Sequence, residues 1–321
     1  MSPELPFRTL RPWLIERFGG PTYRVALDAG SSCPNRDGSK GFGGCVYCDV
    51  EGSGTGALAT GRALTAQLEE GIKRISTRED SHGVIAYFQS YSNTYVERAR
   101  LREVLDSVRP FLGDPVVCVS IATRPDTLPD WAIEELVELS TGSRPGKRVE
   151  VWVELGLESA SDKVLEDIRR FHTAAEFSET TERCLDAGLE CIAHAILGLP
   201  GDGREGARET AKLLANSGAS GIKVHNLMVL RRTQLEKEWR EGRLRVLDSE
   251  TYIAWLADFV ELLSPEQILH RITGDAPPEE RLAPEWSMHT NTVRNLLAAE
   301  LQRRGTQQGS AYLQASTIQP S

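Results

Sequence analysis

Short apolar runs rich in β-branched residues alternate along this chain with longer segments whose apolar positions recur at helical spacing. The strand-like runs are 23–29, 84–89, 116–122, 149–157, 190–199 and 221–229. Between them the spacing predicts helices near 64–76, 95–111, 129–140, 162–168, 173–187 and 204–216. Strand and helix in strict succession predict an α/β fold with a parallel sheet, open or curled into a partial (βα)6 TIM-like barrel, because each helical crossover returns the chain in the same direction. Local punctuation agrees: Ala187-Gly188 and Ser217-Gly218 close helices just ahead of strands, and Asp130 or Ser161 is placed to cap the helix that follows.

After Val229 the alternation fades. Helices are expected near 234–241 and 249–263, then a strand at 268–273, a loop through Pro277, Pro278 and Pro284, and a helix near 292–304. This pattern divides the chain into a βα core at 1–230, a mostly helical C-terminal extension at 231–306 packing on it, and a flexible tail at 307–321.

Within the strands the polar residues are not scattered. In 149–157 one face carries Val151, Val153, Leu155 and Leu157, while the other carries Trp152, Glu154, Gly156 and then Glu158. The same alternation puts His194, Ile196 and Gly198 on one face of the fifth strand and Lys223 with His225 on one face of the sixth. A covered parallel sheet reads as nearly continuous apolar residues, so this polar face calls for a ligand or a wet lumen at the strand ends, where βα folds gather their sites. Taken singly each residue has an ordinary explanation; Glu154 with Lys223 is also the pattern of a structural ion pair.

At 321 residues and 40% apolar the chain can fill a full-sized core. Its net charge of −9 argues against a broad nucleic-acid face, although basic clusters occur at Arg144 to Arg148, Arg169 with Arg170, Arg231 with Arg232, and Arg240 to Arg245. Charged residues interrupt the first twenty positions and no stretch is apolar enough to span a bilayer, so a cytoplasmic protein without a membrane partner is expected. In that setting the six cysteines read as thiols or ligands, with Cys118, Cys184 and Cys191 as core packing.

The other three, Cys33, Cys45 and Cys48, share one glycine-rich loop with eleven and then two residues between them. Three soft thiolates with no fourth cysteine nearby describe a metal centre with one open position. A closed zinc site would need Asp37, Asp49 or His82 as fourth ligand, none at a familiar spacing. Gly38, Gly41, Gly43 and Gly44 instead allow the backbone to wrap a bulky cluster, so a cubane iron–sulfur centre with one free iron is the better fit. Two alternatives stand beside it: a zinc-stabilised βα binding protein without catalysis, and a metal-dependent hydrolase using His194, His225 and Glu154. Gly52-Ser53-Gly54-Thr55-Gly56 is no phosphate loop, since it lacks the Lys-Ser/Thr ending and a strand-to-helix setting.

The three-cysteine loop, the tract Tyr87-Phe88-Gln89-Ser90-Tyr91-Ser92-Asn93-Thr94, the tract Ala122-Thr123-Arg124-Pro125-Asp126, the run Glu154-Leu155-Gly156-Leu157-Glu158-Ser159 and His194-Ala195-Ile196-Leu197-Gly198-Leu199-Pro200-Gly201 together resemble radical S-adenosylmethionine (radical SAM) enzymes. With His270-Arg271-Ile272-Thr273-Gly274-Asp275 and Leu282-Ala283-Pro284-Glu285-Trp286, the chain is similar to the YhcC/YtqA-type group and, more distantly, to the radical domain of the Elongator catalytic subunit. The long first cysteine spacing departs from the commonest radical SAM pattern but is shared by that group. The resemblance implies a [4Fe-4S] cluster on Cys33, Cys45 and Cys48 and S-adenosyl-L-methionine chelating the open iron. Reductive cleavage would then yield methionine and a 5′-deoxyadenosyl radical that abstracts hydrogen from a substrate.

The resemblance also implies residue roles. Gln89 and Ser90 would hold the methionyl amine and Arg124 its carboxylate. Glu154 or Glu158 would accept from the ribose, Ile196 to Gly198 would pack on adenine, and His194, Lys223, His225 and Arg271 would meet the substrate as catalytic candidates. It implies a reductant such as flavodoxin or ferredoxin, and the side chain of a tRNA wobble uridine as the substrate to test.

Overall fold

The protein is described by a computed structural model over residues 5–48, 62–78, 81–141, 149–274, 276–286 and 290–312. The expected strands appear as β1 (Thr22–Leu27), β2 (Gly83–Phe88), β3 (Val116–Thr123), β4 (Glu150–Glu158), β5 (Glu190–Leu197) and β6 (Gly221–Asn226). Then come β7 (Val229–Leu230), β8 (Ile268–Arg271) and β9 (Arg281–Ala283). Strands β1 to β6 and then β8 pair in parallel, in that order, as one seven-stranded sheet, while β7 and β9 form a small antiparallel ribbon. The sheet is a half-barrel of the TIM type with β1 and β8 at its two edges.

The strand expected at 268–273 forms as Ile268–Arg271; what the sequence reading did not give is its place, since it pairs with Gly221, Ile222 and Lys223 of β6 and completes the main sheet. A four-residue strand offers too little period to be assigned to a sheet from its own sequence.

Most of the helices lie against the outer face, where Val25, Leu27, Ala86, Phe88, Val119, Val151, Val153, Leu155 and Leu157 join one large apolar core. The alternation in β4 therefore separates this core from the barrel interior as the pattern predicts. The helices are α1 (Leu10–Phe18), α2 (Leu64–Ser76), α3 (Arg98–Asp106), α4 (Asp130–Thr141), α5 (Asp162–Asp167), α6 (Ala174–Asp186) and α7 (Gly203–Asn216). In the C-terminal part follow α8 (Gln234–Arg240), α9 (Ser249–Leu262) and α10 (Thr290–Arg304).

Helix α3 is shorter than its apolar spacing predicts: it starts at Arg98, and after Ser107 the chain makes a 3-10 turn with Pro110 inside it. Ser161 caps α5 by accepting from Val164 N, whereas Asp130 is the first residue of α4 and pairs with Arg183 at 2.5 Å. Helix α1 was not legible as a helix. Its Leu10, Trp13, Leu14 and Phe18 pack with Ile85, Cys118, Trp152 and Ile192, closing the N-terminal end of the barrel. Pro12 in its first turn and the exposed Ile15 blur its apolar stripe.

Of the expected tail, residues 307–312 are tied to the core. Gln308 is buried, donates to Ser264 O and Gln267 O at 2.7 Å and accepts from Arg8 N at 3.0 Å. Residues 313–321, the glycine run at 52–56 and the cluster at Arg144 to Arg148 lie outside the described residues. No helix among the described residues is long and apolar enough to cross a membrane.

Candidate active site

A cavity of about 610 Å³ opens at the C-terminal ends of the strands, within the ~300–1,000 Å³ usual for small-molecule sites. Cys33, Cys45 and Cys48 line one side of it, on the loop that leaves β1. This loop is built around sulfur. Gly43 and Gly44 take left-handed φ of +80° and +83°, turning the backbone into Cys45. Asn35 Nδ2 donates to Cys45 Sγ at 3.3 Å and to the carbonyls of Arg169 (2.5 Å) and Arg170 (3.3 Å), pinning the loop to the turn after α5. Arg36 Nη2 donates to Cys48 Sγ at 3.1 Å, and its guanidinium lies 5.4 Å over the Tyr91 ring. Donors aimed at sulfur favour thiolate character and tune a metal cluster held there.

A single zinc ion finds less support. Among the described residues no three His, Cys, Asp or Glu side chains converge on one ion position. Asp37 is exposed and accepts from Ser39 N, and His82 sits beside Gly20 at the N-terminal end of β2, the far end of the sheet from the cysteines. Asp49 lies outside the described residues.

The barrel interior beneath the cavity holds a sealed polar network. Glu154 on β4 is ion-paired with Lys223 on β6 and hydrogen-bonded to His194 Nε2 at 2.9 Å and to Ser120 Oγ at 2.6 Å. Lys223 also reaches the Tyr87 hydroxyl at 3.3 Å and stands 4.4 Å from the Tyr87 ring centroid. Burial alone would raise the Glu154 carboxyl, but Lys223 and His194 hold it well below the usual carboxylate range. Burial lowers Lys223 to about 7, outweighing the pull of Glu154, with repulsion from Arg24 and Arg271 adding to the lowering. His225, whose ring lies 6.0 Å from that of His194, is kept neutral by burial and by Arg271. Oε2 takes both His194 and Lys223, while Oε1 takes Ser120 alone, so most of the accepting capacity of Glu154 is spent inside the protein.

A second buried pair braces the wall between the cysteines and β4. Arg124 grips Asp126 through Nε and Nη2, both at 2.8 Å, and donates to Arg170 O at 2.5 Å, so most of its donors are spent inside the protein; Nη1 is buried without a partner among the described residues. Lys40 adds a bond to Asp126 at 2.6 Å. Burial raises the Asp126 carboxyl, yet Arg124 and Lys40 hold it at about 2. A carboxyl depressed on folding contributes stability above its unfolded value, and that contribution is lost as pH falls through the folded one. Acid unfolding followed by circular dichroism should therefore show the gap between the native protein and Asp126→Asn closing from about pH 4 to pH 2; a constant gap would mean that the pair is not ionised.

Glu158 ends β4 with φ +72°, a conformation that costs about 1–3 kcal/mol away from glycine and is typical of functional sites. It faces the cavity 3.6 Å from Arg170, which donates to Gly156 O at 2.7 Å. Gly156 leaves room for this contact: a Cβ would stand 2.6 Å from Glu158 Oε1 and 2.7 Å from Arg170 Nη2, so both side-chain ends would have to shift.

Of the residues singled out from sequence, the three cysteines, Gln89, Arg124, Glu154, Glu158, His194, Ile196, Lys223, His225 and Arg271 all line this one cavity. Ser90 and Gly198 do not. Ser90 is fully buried with its Oγ unpartnered among the described residues, and Gly198 turns the chain after β5 at φ +91° against Leu227 and Leu247. Sequence reasoning missed Arg24, Asn35, Arg36, Arg170 and Asn226. Arg24 carried a signal as a cation at an inward position of an otherwise apolar strand; Arg170 carried none.

A family model described as the radical SAM superfamily matches residues 33–214, more than half of the chain and beginning at the first loop cysteine. The chain belongs to the radical SAM superfamily. A radical SAM C-terminal domain model matches residues 219–303, which contain β6 to β9 and α8 to α9. Over 309 residues the chain is 37% identical to the uncharacterized protein YtqA of Bacillus subtilis, covering 96% of this chain and 94% of that protein. It is 33% identical over 298 residues to the protein YhcC of Escherichia coli, covering 93% of each. Half of it aligns at 27% identity with a tRNA uridine(34) acetyltransferase of Dehalococcoides mccartyi, covering 34% of that protein. In fold it is similar to the archaeal Elp3 of Methanocaldococcus infernus, with a TM-score of 0.69 at 16% identity over 89% of this chain and 64% of that one.

Members of this superfamily normally use a [4Fe-4S] cluster and S-adenosylmethionine. The residues present fit both: three thiols on one glycine-turned loop with donors on two sulfurs, and an unpartnered Arg124 Nη1 in the adjoining wall that matches a carboxylate.

Proposed function

We propose that this protein is a radical SAM enzyme with its cluster on Cys33, Cys45 and Cys48. The observation that carries this reading is that the three-thiol loop and the inward polar residues of β3 to β6 and β8 share one cavity. When bound, the cofactors would supply one electron to the sulfonium, giving methionine and a 5′-deoxyadenosyl radical that takes hydrogen from a substrate. The chain's own residues bind and orient. Gln89 is the candidate for the methionyl amine, Arg124 Nη1 for the carboxylate, Glu158 for the ribose hydroxyls and Ile196 for the adenine face. Glu154 also lines the cavity and holds Lys223 and His194 in place, which leaves Glu158 the freer of the two carboxylates for the ribose. The deep walls and the α1 plug keep bulk water away from the reacting carbon.

A one-electron donor such as flavodoxin or ferredoxin is required by this chemistry. For the substrate we propose a tRNA wobble-uridine side chain, supported by the alignment with a tRNA uridine(34) acetyltransferase. Modified nucleosides in tRNA from cells with and without the protein should differ at one wobble-uridine derivative. Identical profiles would remove tRNA from the reading without touching the cofactor chemistry, which 5′-deoxyadenosine formation under dithionite tests separately.

A further inference from the structure

The cavity lining carries five cations, Arg36, Arg124, Arg170, Lys223 and Arg271, against three carboxylates, Glu154, Glu158 and Glu280. Most of the cations are accounted for. Arg124 is held by Asp126, Arg170 faces Glu158, Lys223 is paired with Glu154, and Arg36 donates to Cys48. Arg271, on β8 at the sheet edge opposite the cysteine loop, has no carboxylate partner among the described residues. Deeper in the barrel Arg24 of β1 has Nε and Nη2 buried without a hydrogen-bond partner among those residues, its guanidinium 5.8 Å over the Tyr87 ring. Both arginines bear on Lys223 and Tyr87, so this side of the interior holds uncompensated positive charge. Keeping cations out of water without a counter-charge is costly, and a bound anion would offset that cost.

A neutral donor stands beside Arg271 on the same wall. Asn226 is buried, and its Oδ1 already accepts from Thr273 Oγ1 at 3.0 Å and from Gly274 N at 2.8 Å. That fixes which way the amide points and leaves Nδ2 an unpartnered buried donor among the described residues, on a residue that lines the cavity. His225, one position earlier on β6, adds a neutral ring.

We propose that the substrate carries a carboxylate or phosphate group that docks on Arg271, Asn226 Nδ2 and His225. The proposal rests on the radical SAM reading of the cysteine loop. The carbon that loses hydrogen then lies between this anion anchor and the cofactor. Arg271 supplies a charge-assisted contact, Asn226 a directional neutral one, and Arg24 a fixed field beneath them.

The test is isothermal calorimetry on the anaerobically reconstituted protein, loaded with S-adenosylmethionine, at low ionic strength. Malonate is the carboxylate probe, inorganic phosphate the phosphate probe, and chloride the control. One saturable site is expected for malonate or phosphate, and the tighter of the two names the group. Arg271→Gln should weaken it tenfold or more, as loss of a charge-assisted bond does. Arg271→Lys should restore part of the affinity, which separates anion contact from a folding defect.

Cys45→Ala, which removes a cluster ligand on the other side of the cavity, should bind the anion as the native protein does. Two results would overturn the proposal: no saturable binding of either probe, or Arg271→Gln binding as tightly as native. Anion binding without any 5′-deoxyadenosine formation would instead mean that the cofactor reading has failed while the anchor stands.

Discussion

Replacing Cys45 with alanine should abolish 5′-deoxyadenosine formation and bleach the visible absorption of the reconstituted protein while leaving its fold in place. Cys45 is buried, receives the Asn35 amide, and is the middle sulfur of the three. Without it two thiols remain for a cluster that needs three, whereas the side chain lost from the core is a single sulfur. The structural cost is about 1–2 kcal/mol, as for other small core truncations. The activity cost is expected to exceed about a hundredfold, the upper end of what changes outside the ligand set produce.

Cys118→Ala is the matched control. Cys118 is equally buried, but at the plugged end of the barrel beside Trp152, and burial pushes its thiol well above the usual range, so it stays a neutral packing group. The Cys118 variant should lose about as much stability and keep its colour and product. Equal product from both variants would take the cluster off the cysteine loop.

The largest stability effect is expected at the Glu154–Lys223 pair. Neither side chain reaches solvent, and Glu154 is held ionised by Lys223 and His194. Lys223→Met leaves a carboxylate buried with only neutral hydrogen-bond donors, and Glu154→Gln takes from Lys223 the one neighbour that favours its charge, so the amine is left beside Arg24 and Arg271 to lose its proton or stay buried and unpaired. Each should cost about 3–5 kcal/mol, the usual result of orphaning one partner of a buried pair.

The double variant Lys223→Met/Glu154→Gln should recover most of that loss, because neither position then carries an orphaned charge. Urea unfolding monitored by circular dichroism measures all three. Single-variant losses below about 1 kcal/mol would mean that water reaches the pair as it does at a surface. In the native protein Lys223 sheds its proton as pH rises through about 7, far below an ordinary lysine, because burial and two neighbouring arginines oppose its charge. The cavity therefore becomes less positive across neutral pH.

The same pair shows how far sequence reading reaches. Alternation along β4 and β6 puts Glu154, Lys223 and His225 on the inward face, and the structure has them there. Alternation cannot say that Glu154 binds Lys223, His194 and Ser120 at once, since those partners come from three other strands. Glu154 and Glu158 were therefore both open for the ribose, and only the register of β3 to β6 separates Glu154, with its three internal partners, from Glu158 at the cavity wall. Arg124 is a similar case: its place at the end of β3 was legible, but its bidentate grip on Asp126 was not.

The cysteine loop, the six strand–helix units and the polar inward face were determined by the sequence by itself. Ligand spacing, side-chain alternation of period two and helical spacing are properties of neighbouring residues. The tertiary structure alone decided that the strand at 268–271 joins the main sheet as its seventh member, that α1 plugs the barrel, and which buried charges are paired and which are left over. Those outcomes depend on contacts between residues tens to hundreds of positions apart, and their energies arise only when folding removes water from both partners.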